Sequence, residues 1–140
     1  MLKTNTINYF KAIYTDYNGE EAKARRHLLA KTEKEDGLFL KLTGIRTKLS
    51  GKEIDGKECL SKHSYVVYEH KILLSLLELA QTNYQNFHTC PFHSNGCVDN
   101  FDEIVQKMEK VWRNKLNKQK RRTIRVIPSK LKELEIIPWN

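Results

Sequence analysis

A chain of 140 residues, 39% of them apolar and 30% charged, can bury one core but hardly two, and it is too apolar to stay unfolded. No apolar run reaches the roughly 18–20 residues that a membrane span needs, and MLKTNTINYF lacks the basic, apolar and small-residue regions of a secretory signal. The expectation is one domain over residues 1–140, intracellular and without membrane contact, whose three cysteines are metal ligands or free thiols rather than a disulfide framework.

In chain order, Ile7, Phe10, Tyr14 and Tyr17 recur at helical spacing behind Asn5 or Thr6 as caps, although YFKAIYTDY also reads as an aromatic-rich strand. Asn18-Gly19 ends that element. Glu20 and Glu21, with Lys31 and Lys34 toward the far end and Gly37 beyond, have the charge order of a second helix. LFLKL, residues 38–42, is bounded by Gly37 and Gly44 and suits a short strand, and residues 43–58 hold turn signals at Ser50-Gly51 and Asp55-Gly56.

Residues 64–79 are apolar on more than one face, as expected of a helix enclosed by other elements, while the opening SYVVY is β-branched and aromatic enough for a strand. Asn100 with Glu103 resembles a capping arrangement, and Phe101, Ile104, Val105, Met108, Val111, Trp112 and Leu116 follow along one helical arc. TIRVI, residues 123–127, reads as a strand stopped by Pro128, with a last helical turn over 129–135. Together these elements predict an α+β fold, mostly helical, with three to five helices around one core helix at about 64–82 and a small two- or three-stranded β element.

Charge is segregated along the chain. Residues 110–132 carry ten of the 25 lysines and arginines and no acid, which leaves 15 basic against 17 acidic residues elsewhere, a balance of −2. The whole excess of +8 thus sits in one basic helix and arm at 100–132. Cation clusters of this size attract polyanions. Lys110, Arg113, Asn117, Lys118, Lys120, Arg121, Arg122 and Arg125 are the residues expected to contact a nucleic-acid backbone. The competing reading is a solvated face, or a surface for an acidic or nucleic-acid-binding protein.

The Cys/His loop at 88–97, HTCPFHSNGC, concentrates the metal-binding residue types. Cys90, His93 and Cys97 form C-x2-H-x3-C, and a four-ligand zinc site is completed either by Cys59 from the preceding loop or by His88. Pro91 restricts the turn and Gly96 frees it, both of use in wrapping a loop around an ion. CPFH resembles the opening half of the zinc ribbon of bacterial-type DNA primases, in which such a stretch supplies two metal ligands. The match covers four residues and the second half, a Cys-x2-Cys pair, is absent, so no function is carried over. The alternative is a polar loop with unbound structural thiols.

No nucleophile context surrounds the cysteines, and GxxxxGK[ST] and GxGxxG are absent, so no catalytic residue is assigned. The expectation is a small nucleic-acid-binding module, not an enzyme, stabilised by one zinc ion. The alternative is a protein-interaction factor, such as a small inhibitor or adaptor of a nucleic-acid enzyme complex carried by a mobile element. Third comes a metal-dependent nuclease using Asp99, Asp102 and Glu103, acids that a helix start also attracts as dipole partners.

Overall fold

A computed structural model describes residues 2–12, 24–47, 49–50, 54, 59–60, 64–81, 84–93, 96–135 and 139. Among these the strands are β1 (Ile7–Phe10), β2 (Arg25–Glu33), β3 (Asp36–Thr43), β4 (Tyr65–Val66), β5 (His70–Ser75), β6 (Phe87–Thr89) and β7 (Arg122–Val126). They form one mixed seven-stranded sheet in the order β6-β1-β2-β3-β5-β7, with β4 also on β3. Every pairing is antiparallel except the parallel β5–β7. The helices are α1 (Leu76–Gln81) and α2 (Phe101–Arg113), with short 3-10 segments at Tyr84–Asn86, Lys115–Lys120 and Pro128–Lys130.

This sheet overturns the mostly helical fold. The stretch read as a core helix at 64–82 is β4, a turn at Tyr68 and Glu69, β5, and only then the six residues of α1. In β5, His70, Ile72 and Leu74 are buried while Lys71, Leu73 and Ser75 are half-buried, the period of two that a strand imposes. Apolar residues on both faces here mark a strand covered on both sides, a pattern that periodicity alone does not separate from an enclosed helix.

The second expected helix is likewise β2, where His27, Leu28, Leu29 and Ala30 are all buried. It turns into β3 through Lys34, whose φ of 54° is left-handed, and Glu35, between the paired Glu33 and Asp36. A Lys-Glu turn lacks the Asn-Gly or Asp-Gly signature by which hairpins are recognised. Of the first expected helix, Ile7–Phe10 is β1, and Tyr14, Tyr17 and Gly19 lie outside the described residues. The LFLKL strand forms the middle of β3, with six consecutive buried residues from Gly37 to Leu42.

Both faces of the sheet are packed. On one, Leu28, Leu38 and Leu40 meet Ile104, Met108 and Val111 of α2, and the same apolar cluster takes in Cys59, Cys90, Cys97 and Val98. On the other, Phe10, Leu29, Phe39, Ile72 and Leu74 meet Leu76 and Leu79 of α1, together with Phe87 and Leu131. Phe10 stacks on Phe87 at 5.3 Å between centroids and meets Phe39 edge-on at 5.6 Å, geometries favoured by aromatic quadrupoles.

The helix expected to carry its apolar arc through Leu116 ends at Arg113. Asn114 takes an extended conformation (φ −75°, ψ 114°), and its side chain accepts from Leu116 N–H at 3.0 Å to start the 3-10 segment at Lys115–Lys120. Asn favours such local caps over helix interiors. As a result Leu116, expected in the core, is 90% exposed. At the other end of α2, Asn100 makes no side-chain cap bond, and the helix starts with its carbonyl accepting from Ile104 N–H at 3.2 Å. Asp102 and Glu103 sit in the first turn, and Lys110 and Arg113 in the last, the order the helix dipole favours.

Candidate metal centre

Cys59, Cys90, His93 and Cys97 converge. Their ligand atoms all lie within 4.8 Å of one another, and the three cysteines are buried while His93 is half-buried. Cys59 Sγ is 2.8 Å from both Cys90 Sγ and His93 Nδ1, and Cys90 Sγ is 3.5 Å from the same nitrogen. All three cysteines are free thiols. A tetrahedral ion bound at about 2.0–2.3 Å separates its ligands by roughly 3.3–3.8 Å, inside the range these four atoms span. The set is therefore capable of coordinating a metal ion.

Each ligand is placed by a different device. Cys90 directly follows β6 and donates its N–H to Ile7 O at 2.9 Å, in register with β1. Pro91 and Phe92 turn the chain so that His93 faces back toward Cys90, and Phe92, 60% exposed, lies edge-on to the His93 ring. Cys97 donates its N–H to Asn5 O at 2.9 Å. Cys59 comes from the segment between β3 and β4, 31 residues before Cys90, so four side chains fasten two loops to the sheet and to the core beneath α2.

Electrostatics set a condition on this cluster. Burial pushes the Cys59 thiol well above the ordinary thiol range, and the neighbouring Cys90 and Cys97 push it further. Burial raises Cys97 as well, opposed by hydrogen bonds from the Cys59 side chain and the Ile7 backbone N–H. Thiolates crowded in an apolar core need a cation. A divalent metal is able to supply it, and binding one would release the thiol protons.

His88 stands elsewhere. It lies on β6 opposite Tyr9, and its Nε2 is 3.1 Å from Gln85 O. Among the described residues no other group of three or more Cys, His, Asp or Glu side chains gathers around a point, so Asp99, Asp102 and Glu103 do not form a second centre.

The eight residues read as nucleic-acid contacts occupy three elements rather than one helical stripe. Lys110 and Arg113 are exposed on α2, Asn117, Lys118 and Lys120 lie on the 3-10 segment, Arg121 follows it, and Arg122 and Arg125 lie on β7. Strand alternation sends Arg122 to the α1 side with Ile124 and Val126, and Arg125 to the α2 side. Arg125 binds Asp36 with two hydrogen bonds of 2.8 and 3.2 Å. Arg121 donates through Nη1 to Trp112 O and lies 5.4 Å over the Trp112 ring. Asn117 Nδ2 donates to Val111 O at 3.4 Å. Farther along, Lys132 N–H donates to Lys11 O at 2.9 Å, so the last part of the basic arm is tied to the sheet.

Sequence reasoning missed the cations that come from elsewhere. Lys71 of β5 lies 4.1 Å over the Trp112 ring, whose Nε1 donates to Tyr68 O at 2.7 Å. Lys107 lies 5.3 Å over Tyr68, and it shares with Lys110, Asn114 and Asn117 an open groove of about 550 Å³ between α2 and Leu49. Burial lowers the pKa of Lys71, helped by Lys31, and burial and then Arg46 lower that of Lys107. Lys107 lies just outside the acid-free run, beside Glu109; its helical spacing to Lys110 was the available signal.

Compared with known proteins, the chain matches no family model, no curated protein and no solved structure. What is shown is a small domain with a Cys3His cluster able to hold a metal ion. Among the described residues no helix is long and apolar enough to cross a membrane.

Proposed function

We propose that Cys59, Cys90, His93 and Cys97 bind one structural zinc ion, and that the domain so stapled is a nucleic-acid-binding module whose partner is a phosphate backbone. The convergence of the four ligand atoms carries the reading. Three thiolates and one imidazole suit zinc in chemistry and number, and four protein ligands leave no open position for a substrate, which argues for a structural ion. Ligation through His93 Nδ1 leaves the ring proton on Nε2.

The nucleic-acid reading is supported by charge and exposure. Lys110, Arg113, Lys118, Lys120 and Arg122 are exposed. In the groove, which Glu103 also lines at one end of the helix, Lys107 and Lys110 can neutralise phosphate while the Asn114 and Asn117 amides donate to its oxygens. Contacts of this kind hold a backbone without reading sequence and weaken steeply with salt.

Two measurements test the two halves. Protein purified without added metal is expected to contain one equivalent of zinc, lost in Cys90→Ser; absence of metal overturns the first half. Random-sequence DNA and RNA are expected to bind at low salt and to be released as salt rises, with binding lost when Lys120, Arg121 and Arg122 are replaced together by Glu. Failure to bind at low salt overturns the second half and favours a protein partner for the basic surface.

A further inference from the structure

The segment leading into β1 meets both arms of the Cys/His loop. Asn5 has a φ of 62°, a left-handed conformation that Asn tolerates better than most residues. Its main chain is held by its own N–H, which donates to Leu29 O at 2.9 Å, and its carbonyl accepts from Cys97 N–H at 2.9 Å. Its side chain is fully engaged with one residue: Nδ2 donates to Val98 O at 2.9 Å, and Oδ1 accepts from Val98 N–H at 3.0 Å. The amide thus copies the paired donor and acceptor of a neighbouring strand, and it grips the residue directly after a ligand.

Two residues on, Ile7 continues the pattern. Its carbonyl accepts from Cys90 N–H at 2.9 Å, so the same segment also meets the first cysteine of the loop. Gly96 then completes the fit. It has a φ of 120°, and a Cβ placed there would come within 2.5 Å of Asn5 Nδ2, so the loop passes so close to Asn5 that only glycine fits without displacing the amide.

We infer that Asn5 is a positioning residue for the metal centre, a side-chain clasp that holds the Gly96–Val98 segment so that the Cys97 sulfur faces Cys59, Cys90 and His93 before the ion arrives. The inference rests on the zinc reading above. Groups that orient metal ligands without touching the metal typically contribute 10–100-fold to metal affinity. Asn5 has the geometry for this because its side-chain bonds end on Val98, directly after a ligand, and its carbonyl accepts from the N–H of the ligand residue Cys97 itself.

The test compares wild type, Asn5→Gly, Gly96→Ala and the double variant, titrated with zinc against a chromophoric chelator and with cobalt(II) for the thiolate absorption bands. Asn5→Gly permits the left-handed backbone at no steric cost and removes the clasp. It is expected to bind zinc at least about tenfold more weakly, to lose zinc faster to excess chelator, and to broaden or shift the cobalt bands, with little change in the urea midpoint of the metal-free protein. Gly96→Ala is expected to weaken binding on its own and to cost less in the Asn5→Gly background, where the amide it strikes is gone.

Unchanged zinc affinity and cobalt bands in Asn5→Gly, or independent effects of the two substitutions, overturn the inference. So does an equal loss of urea midpoint with and without metal, because that marks general stabilisation of the fold. If wild type itself takes up neither metal, the zinc reading has failed, and the clasp fails with it.

Discussion

The Cys/His loop and the basic segment at 110–132 were the two conspicuous features of the chain, and folding treats them in opposite ways. The loop converges: Cys90, His93 and Cys97 are joined by Cys59 from a distant segment, and their polar atoms turn inward to a common point. The basic segment diverges, over the end of α2, a 3-10 segment and both faces of β7. Dense charge in sequence becomes dispersed charge in space because the backbone changes element at Asn114 and Arg121, and strand alternation divides Arg122 from Arg125. Soft ligands with a short spacing become one site, because a metal ion can offset the cost of their burial.

If this contrast is right, insults to the loop act on the fold and insults to the basic segment act on binding. The largest effect is expected for Cys59→Ser or Cys90→Ser, or for chelation of the wild type, with a fall in melting temperature of more than about 10 °C given the free energy that structural zinc sites contribute. Differential scanning calorimetry checks it, and a shift of only a degree or two would put the loop in the same class as the surface. Next, replacing Lys107 and Lys110 by Glu is expected to weaken nucleic-acid binding about tenfold or more near 0.1 M salt and to flatten its salt dependence. Melting should be almost unchanged in that variant, and fluorescence anisotropy at two salt concentrations gives the affinity.

A third prediction concerns the sheet that carries both regions. His27 is 1% exposed, stacks on Phe10 at 3.9 Å, and its pKa is pushed down to about 3 from 6.5, chiefly by burial, with Lys41 and Arg25 adding repulsion and backbone bonds at Arg25 and Asn8 opposing. Below pH 6.5 the unfolded chain binds a proton at this position that the folded chain refuses. Stability is therefore retained above pH 6.5 and falls as pH drops toward 3, by up to about 1.4 kcal/mol per pH unit. Urea unfolding of wild type and His27→Gln from pH 7 to 4.5 should show the shallower acid loss in the variant, and parallel curves would refute the assignment. The smallest effect is expected at Leu116, whose exposure predicts that Leu116→Ser changes stability by less than about 0.5 kcal/mol. A larger loss by calorimetry would show that the residue packs against something in solution.

Legibility followed the range of the interactions. The start of α2 and both ends of β7 were read to within about a residue, because amphipathic spacing and Pro128 are local signals, whereas the expected helix ran past Arg113 to include Leu116. β2 and β5 were read as helix because their burial on both faces is a property of the finished sheet, visible only after α1 and α2 have covered it. Glu20, Glu21, Lys31 and Lys34 have a helix-like charge order, yet Lys31 lies on β2 and bridges to Glu33 at 2.9 Å. At the Cys3His cluster the C-x2-H-x3-C spacing was local and legible. The choice between Cys59 and His88 depended on strand register: β6 sets His88 opposite Tyr9 and turns its ring toward Gln85. Asn5 read only as a possible helix cap, since its partners lie 93 residues away.

The most direct test of the account is native mass spectrometry of the chain expressed and purified without added metal, beside Cys59→Ser. The account predicts a wild-type mass increased by one zinc ion with the matching loss of thiol protons, and a variant that retains no stoichiometric metal. A metal-free wild type with three intact thiols and the same stability before and after chelation would contradict it.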